Sequence, residues 1–473
     1  MSEVHSSERL GDKSLAKPGR SYSHRLLMAG KSLISILLSS VACLVLLVAL
    51  LEFILAIFGL GNDEYLKIDP ILGSTHLDKK LVTFRFEGYS REKINKDGDR
   101  DYERKLLKAP GVTRIAFLGD SMTEAAQVPL DCSFVRVSER KLNAMSAGTF
   151  ETMNFAMASY GTVQEYVQFL LRVRAYKPDV TVLVYNYGDS GENLSTSNED
   201  VAPRPLVSIG NDGKLDLTFD FLDRWIALPQ TQFALKTEWL RRHSHIVQTL
   251  LASDLFFRSN SKWYSPICRS IYSSVSPVIS WLIAGLPEPP ELAPYYRAVG
   301  RPAGDLAANQ AVRLDTSRVR RRLRAETARL DSLIAHNLPD NPRIDVSQGL
   351  SAETLAYRTY AQMHYRNFAA TARVLKMLNT ACREAGSQFV IVTLPAADSF
   401  KFYLREIQHL KKLGEAEGFQ VIDANESFPR VNILEKNPYY YGAHFTKRGH
   451  AVMADIISGS LIRMLSTQAS QSR

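Results

Sequence analysis

Cysteine is scarce in this chain. Four occur in 473 residues, Cys43, Cys132, Cys268 and Cys382, and they are widely scattered. None forms a CxxC, and no His/Cys group has metal-ligand spacing. This argues against a zinc site or a disulfide framework and leaves room for one bridge among the last three. An internal repeat is also lacking, which sets solenoids and propellers aside. No nucleic-acid motif is present. Long apolar runs are absent too, with one exception near the start of the chain.

The length allows two or three average domains, or one domain with insertions. Apolar residues make up 45% and charged residues 23%, ordinary for a globular protein with a sizeable core. The formal net charge is +9. Such a balance suits nucleic acid, an anionic membrane surface or an acidic polymer, and does not choose between them.

The exception is "LISILLSSVACLVLLVALL", residues 33 to 51, without a charge, and the apolar pattern continues past Glu52 to Leu60. About 20 such residues cross a bilayer core. Arg9, Lys13, Lys17, Arg20, Arg25 and Lys31 precede it against Glu3, Glu8 and Asp12. The positive-inside rule then puts the N-terminus in the cytoplasm and the remainder outside it, in the periplasm of a cell with two membranes. A cleaved signal peptide has a shorter apolar core. "SVAC" at 40 to 43 lacks the usual leucine of a lipoprotein cleavage site. The expectation is a basic cytoplasmic tail over 1–31, an uncleaved signal anchor over 32–60 and an extracytoplasmic domain over 61–473. "SPVISWLIAGL", 276 to 286, is too short to span and reads as a core or interfacial helix.

Beyond the anchor comes a polar lead-in, then a buried strand at 114 to 118. Helical spacing follows over 133 to 146, then a second strand and turn in "FETMNFAMASYG". A helix, "VQEYVQFLLRVRAY", ends before Pro178, and "DVTVLVYNYG" is a third strand. A continuous apolar strand of that kind suits a parallel sheet covered on both faces. A helical insertion occupies about 195–350. The rhythm resumes with "MHYRNFAATARVLKMLNTACREAG", "QFVIVTLP", "FYLREIQHLKKLGEAEG", "FQVIDA" and "HFTKRGHAVMADIISGSLIRML". Alternating strands and helices predict an α/β fold with a parallel sheet.

Gly-Asp-Ser occurs twice, at 119–121 and 188–190. A serine just past a buried strand sits where open α/β sheets bind ligands. "FLGDSMTE", with "INKDGDRD" upstream, "MNFAMASYGTVQE" after it and "HFTKRGH" near the C-terminus, resembles the SGNH, or GDSL-type, hydrolase family. The likeness is greatest to its membrane-anchored members linked to polysaccharide O-acylation. It covers most of 90 to 195 and 360 to 465 but not the insertion. It implies a three-layer α/β/α fold (SGNH/flavodoxin-like) after one transmembrane helix, and no metal or organic cofactor. It also implies an acylated carbohydrate substrate, a membrane O-acyltransferase as partner, and no nucleic acid.

Carried over residue by residue, Ser121 matches the nucleophile and His444 the base, with Gly119 and Asp120 structural beside the serine. Three blocks depart. The oxyanion glycine of the second block falls on Ser159, whose main-chain N–H can still serve. The oxyanion asparagine of the third block falls on Gly188, so Asn186 or Asn193 would have to reach in. The aspartate before the histidine falls on Tyr441. A backbone carbonyl near Tyr441, Asp423 or Glu426 could hold the imidazole instead. A serine hydroxyl is weak until a base takes its proton, and the acid orients that base. Two readings follow: an esterase or acyltransferase working through Ser121 and His444, or a catalytically silent scaffold or binding subunit of a cell-envelope polysaccharide modification or export system.

Asp189 in the second Gly-Asp-Ser should hydrogen-bond loop backbone, with Ser190 not a nucleophile. His450 opens the last helix and reads as structural, as do His243, His245 and His364. "RLDTSRVRRRLRAETARL", 313 to 330, carries seven arginines against two acids. It reads as a solvated helix face, or as a contact for an anionic polymer, lipid headgroups or an acidic partner. The aromatics of "LDRWIALPQTQF" and "PYYRAV" pack loops or stack on sugars.

Overall fold

A computed structural model describes residues 20–60, 65–85, 87–186, 189–193, 203–227, 229–236, 238–252, 316–334, 352–395, 401–429 and 437–471. Gly188, Cys268, the segment 276–286, "PYYRAV" and the side chain of His364 lie outside the described set.

The chain divides into two units, Met1–Gly59 and Leu60–Arg473. The first holds one helix, α1 (Arg20–Phe58), whose Gly30–Phe58 stretch of 29 residues is unburied on every side. At 1.5 Å per residue it reaches roughly 44 Å, against a hydrocarbon core of about 30 Å. It is long and apolar enough to cross a membrane.

The second unit opens with two antiparallel hairpins where the sequence suggested only a polar lead-in: β1 (Leu66–Asp69) with β2 (Gly73–His76), and β3 (Leu81–Phe84) with β4 (Ser90–Lys93). Their strands have four residues each, too few for alternation to stand out from a polar loop. Next come β5 (Val112–Leu118), the short α2 (Ser121–Glu124), α3 (Phe134–Met145), β6 (Thr149–Asn154), α4 (Thr162–Leu171) and β7 (Val180–Tyr185).

The insertion is not wholly helical. It contains a hairpin, β8 (Leu206–Ile209) with β9 (Leu215–Thr218), before four short helices, α5 (Asp220–Ile226), α6 (Pro229–Lys236), α7 (Glu238–His243) and α8 (His245–Ala252). The arginine-rich α9 (Thr316–Leu333) follows. The domain closes with α10 (Ala352–Glu384), β10 (Gln388–Thr393), α11 (Lys401–Glu417), β11 (Gln420–Asp423) and α12 (Lys447–Gln471).

Five strands form one parallel sheet in the order β11-β10-β7-β5-β6. Successive side chains of a strand point to opposite faces, and here both faces are apolar. Ala116, Leu118, Leu183, Tyr185, Phe389 and Ile391 join one cluster with α4, α9, α10 and α11. Ile115, Phe117, Val182, Val184, Val390 and Val392 join another with α3 and α12. Two buried faces make three layers, α/β/α. Read in chain order the sheet is 2-1-3-4-5, so the strand direction of travel reverses between β5 and β7. Such a switch point opens a crevice at the carboxyl ends of the strands.

Of the described arginines in the run, Arg320 is half-buried and the other five are exposed, and at least three of the six bond other parts of the domain. Arg320 donates to Asp223 (2.5 Å) and to the Pro70 carbonyl. Arg324 donates to the Leu217 carbonyl, and Arg329 to Glu326 and Glu384. Arg318, Arg321 and Arg322 are exposed. Trp225 and Ile226 pack against the core, the loop-packing outcome for the first aromatic cluster. Cys132 and Cys382 are both unpaired.

Candidate active site

The crevice at the switch point is built on Gly119-Asp120-Ser121. β5 ends at Leu118, and Asp120 caps α2 by accepting the Met122 N–H at 2.9 Å. A cap of this kind satisfies an N–H at the start of the helix that has no helical partner. Gly119 is required by close approach: a Cβ there would lie 2.3 Å from Thr123 Oγ1. The turn therefore folds tightly and leaves Ser121 partly exposed at its apex.

His444 arrives from the loop between β11 and α12. A bridge between Tyr440 and Phe445 closes that loop, and Tyr441 N–H donates to the His444 carbonyl at 2.8 Å. Phe445 is buried and stacks on Phe428 and Tyr440, so the neighbour of the histidine is nailed into the core. His444 Nε2 lies 2.9 Å from Ser121 Oγ.

The other ring nitrogen faces Glu87. This residue sits at the tip of the β3–β4 hairpin. Its Oε2 meets His444 Nδ1, and its Oε1 accepts the Ala443 N–H at 2.9 Å. Burial pushes the Glu87 carboxyl up, but the Ala443 N–H and His444 outweigh it and hold the group below the usual carboxylate range. An ionised carboxylate only accepts, so Nδ1 carries a hydrogen, and the neutral ring in that tautomer presents its Nε2 lone pair to the serine hydroxyl. Ser121, His444 and Glu87 thus form one hydrogen-bonded line.

The acid is therefore none of those expected. Asp423 and Glu426 both pair with Lys411, at 2.7 and 2.5 Å. The backbone at Tyr441 bonds the His444 carbonyl, not its ring. No local signal pointed to Glu87, because it is one acid in a short hairpin far from any other site residue. A Cβ at Gly442 would lie 2.6 Å from Glu87 Oε1, and that glycine is the one trace of the contact in the sequence.

Ser159 is exposed with φ +64°, the left-handed region. Glycine enters that region without the penalty a Cβ brings. Asn186 donates its amide to Asp120 Oδ2 at 2.6 Å. Asn193 does not reach the crevice: it is fully buried and donates to the Asp189 carbonyl and Thr371 Oγ1. Asp189 accepts the Asn186 N–H at 2.8 Å, and Ser190 is buried and donates to Glu406 at 2.6 Å. The second Gly-Asp-Ser thus contributes loop and core contacts through its described residues. His450 is buried against Phe134, whose N–H it accepts at 3.3 Å. Burial, with the charges of Arg100 and His444, pushes its imidazole down to about 3, so it stays neutral. His243 and His245 bond backbone carbonyls.

Behind the site, "DGDRD" packs as buried ionic groups. Asp99 pairs with Arg172, and Asp101 accepts the Asn154 N–H at 3.1 Å while pairing with Arg104. These ties join the second-strand loop to the segment that leads into β5. Among the described residues no cluster of His, Cys, Asp or Glu has the arrangement of a metal site.

No protein-family model matches the sequence, and no curated protein does. Among solved structures, "Crystal Structure of TesA" aligns over 74% of this chain and 98% of its own, at 8% identity and a TM-score of 0.31. That likeness is too slight to bear on activity, and the chemistry rests on the geometry above.

Proposed function

We propose that this chain is a membrane-anchored serine esterase or O-acyltransferase acting on ester-linked acyl groups, acetyl foremost, of an extracytoplasmic polysaccharide. The observation that carries the reading is the unbroken line Ser121–His444–Glu87. The Ser121 hydroxyl attacks the acyl carbonyl while His444 Nε2 takes its proton. Glu87 holds the ring in the required tautomer and steadies the imidazolium. The N–H groups of Ser121 and Ser159 receive the oxyanion, and the Asn186 amide, anchored on Asp120, is the side-chain donor. The tetrahedral adduct collapses, the leaving alcohol takes the proton from His444, and an acyl-serine remains. Water or a sugar hydroxyl then gives its proton to His444 and attacks the acyl carbon; the bond to Ser121 Oγ breaks, His444 returns the proton to that oxygen, and the free serine is restored.

The resemblance of the four sequence blocks supplies the substrate class and the membrane O-acyltransferase partner. The positive-inside bias before the apolar run at 33–51 supports a cytoplasmic N-terminus. The silent-scaffold reading was motivated by the missing acid at Tyr441 and the missing asparagine at Gly188; Glu87 removes the first motive, and in the proposed reading the Asn186 amide stands in for the second. The test is hydrolysis of 4-nitrophenyl acetate by the detergent-solubilised full chain. Turnover abolished by Ser121→Ala supports the assignment; turnover indifferent to that change sinks it.

A further inference from the structure

Glu124 ends the short helix that Ser121 begins, and it is fully buried. Its Oε2 accepts the Ala158 N–H at 2.7 Å. Its Oε1 lies 3.2 Å from Nε2 of His76, at the end of β2. Arg100, also buried, donates to the Glu124 main-chain carbonyl at 3.0 Å. Burial pushes the Glu124 carboxyl up, but His76, the Ala158 N–H and Arg100 outweigh it and keep the group ionised below its usual range.

On the other side of Ser121, the Gly119 carbonyl accepts the Met157 N–H at 3.0 Å. Two successive N–H groups of the second-strand loop are thus tied to residues flanking the nucleophile. The next residue is Ser159 in its left-handed conformation, and Tyr160 N–H closes the turn onto the Met157 carbonyl at 3.1 Å. A non-glycine residue persists in that region where its surroundings over-determine it. A charge-assisted bond is the stronger kind of anchor, and burying a carboxylate to make it is costly unless it is well paired.

We infer that Glu124 is a positioning residue for acyl transfer: by fixing Ala158 it sets the Ala158–Ser159 peptide, so that the Ser159 N–H faces the developing oxyanion. The other carboxylate oxygen faces the His76 ring at 3.2 Å, so the anchor is held from both sides. The inference rests on the reading of Ser121 as nucleophile.

Two substitutions separate reach from charge. Glu124→Gln keeps an oxygen for the Ala158 N–H and loses the charge. Glu124→Asp keeps the charge and withdraws it by one methylene. In the full chain, kcat and KM for 4-nitrophenyl acetate are measured per folded enzyme, with the inhibition constant of a phenylboronic acid, which forms a tetrahedral adduct on serine. Loss of a whole oxyanion donor costs about 10²- to 10³-fold. For a displaced donor, Glu124→Asp should lower kcat by about 10- to 100-fold with KM within about twofold, and weaken the boronate in parallel. Glu124→Gln should lose at least several-fold less than Glu124→Asp. Equal losses, a larger loss for Gln, or variants that shift only the melting temperature would overturn the positioning role. Wild-type turnover that survives Ser121→Ala would overturn the nucleophile reading beneath it.

Discussion

Glu87 and His444 are 357 positions apart in sequence, and they meet through a carboxylate oxygen and Nδ1. The acid comes from a hairpin ahead of the sheet, the base from the loop before the last helix. The candidate site is therefore complete only when the first and last parts of the domain are folded together.

Removing the acid should leave binding intact and slow the chemistry. Glu87→Gln is expected to lower kcat by about 10²- to 10⁴-fold with little change in KM, because the imidazole loses its orientation and the charge that steadies its imidazolium form. Steady-state kinetics on 4-nitrophenyl acetate measure this. A loss below about threefold would show that Glu87 does not act on His444.

Gly442 offers a probe that leaves every ionisable group in place. A Cβ there would press on Glu87 Oε1 at 2.6 Å. Gly442→Ala should displace the acid and lower kcat by about 10- to 100-fold, since sub-ångström alignment governs such sites. An activity equal to wild type in a folded variant contradicts the contact.

Ser121 and His444 should behave as one unit. The double variant Ser121→Ala with His444→Ala is expected to be no slower than either single one, as members of one catalytic line are non-additive. Losses that multiply would mean independent roles.

Ser159→Gly should stabilise the domain by about 1 kcal/mol, because it removes the Cβ from a left-handed residue. Urea denaturation reads this directly. A decrease in stability would mean that the serine side chain makes a contact worth more than the strain.

His450 should make the domain acid-sensitive. Burial pushes its folded pKa down to about 3 from 6.5. Between those values the unfolded chain binds one more proton than the folded one. Stability from this group is thus full above about pH 6.5 and is lost as pH falls, by up to about 1.4 kcal/mol per unit, until about pH 3. His450→Asn keeps an acceptor for the Phe134 N–H and should flatten that slope, measured as unfolding free energy from about pH 7 to about pH 4. An unchanged slope would assign the acid sensitivity elsewhere.

Much of the fold was legible in the order of residues. The strands at 112–118, 180–185 and 388–393 are built on the apolar runs IAFL, VLVY and FVIV, and the helices between them carry clear spacing, so the α/β class follows from local chemistry. The candidate nucleophile and base were legible because each stands in a recognisable block. The four hairpin strands before β5 and the hairpin within the insertion were not, since each has only four residues. Seven arginines in one run suggested a solvated or polymer-binding face, and five of the six described ones are exposed; the bonds of Arg320, Arg324 and Arg329 to carbonyls and acids of distant segments were not legible, because charge alone cannot reveal such partners.

The sequence by itself determined the apolar anchor-length helix, the parallel α/β core and the two residues with the power to act as nucleophile and base. Periodicity and composition are local, and those features are local. Only the tertiary structure decided which acid faces His444 and which carboxylate accepts the Ala158 N–H beside Ser159. Both contacts join segments with no sequence proximity, and a hydrogen bond is a relation of distance and angle that exists only once the chain has folded.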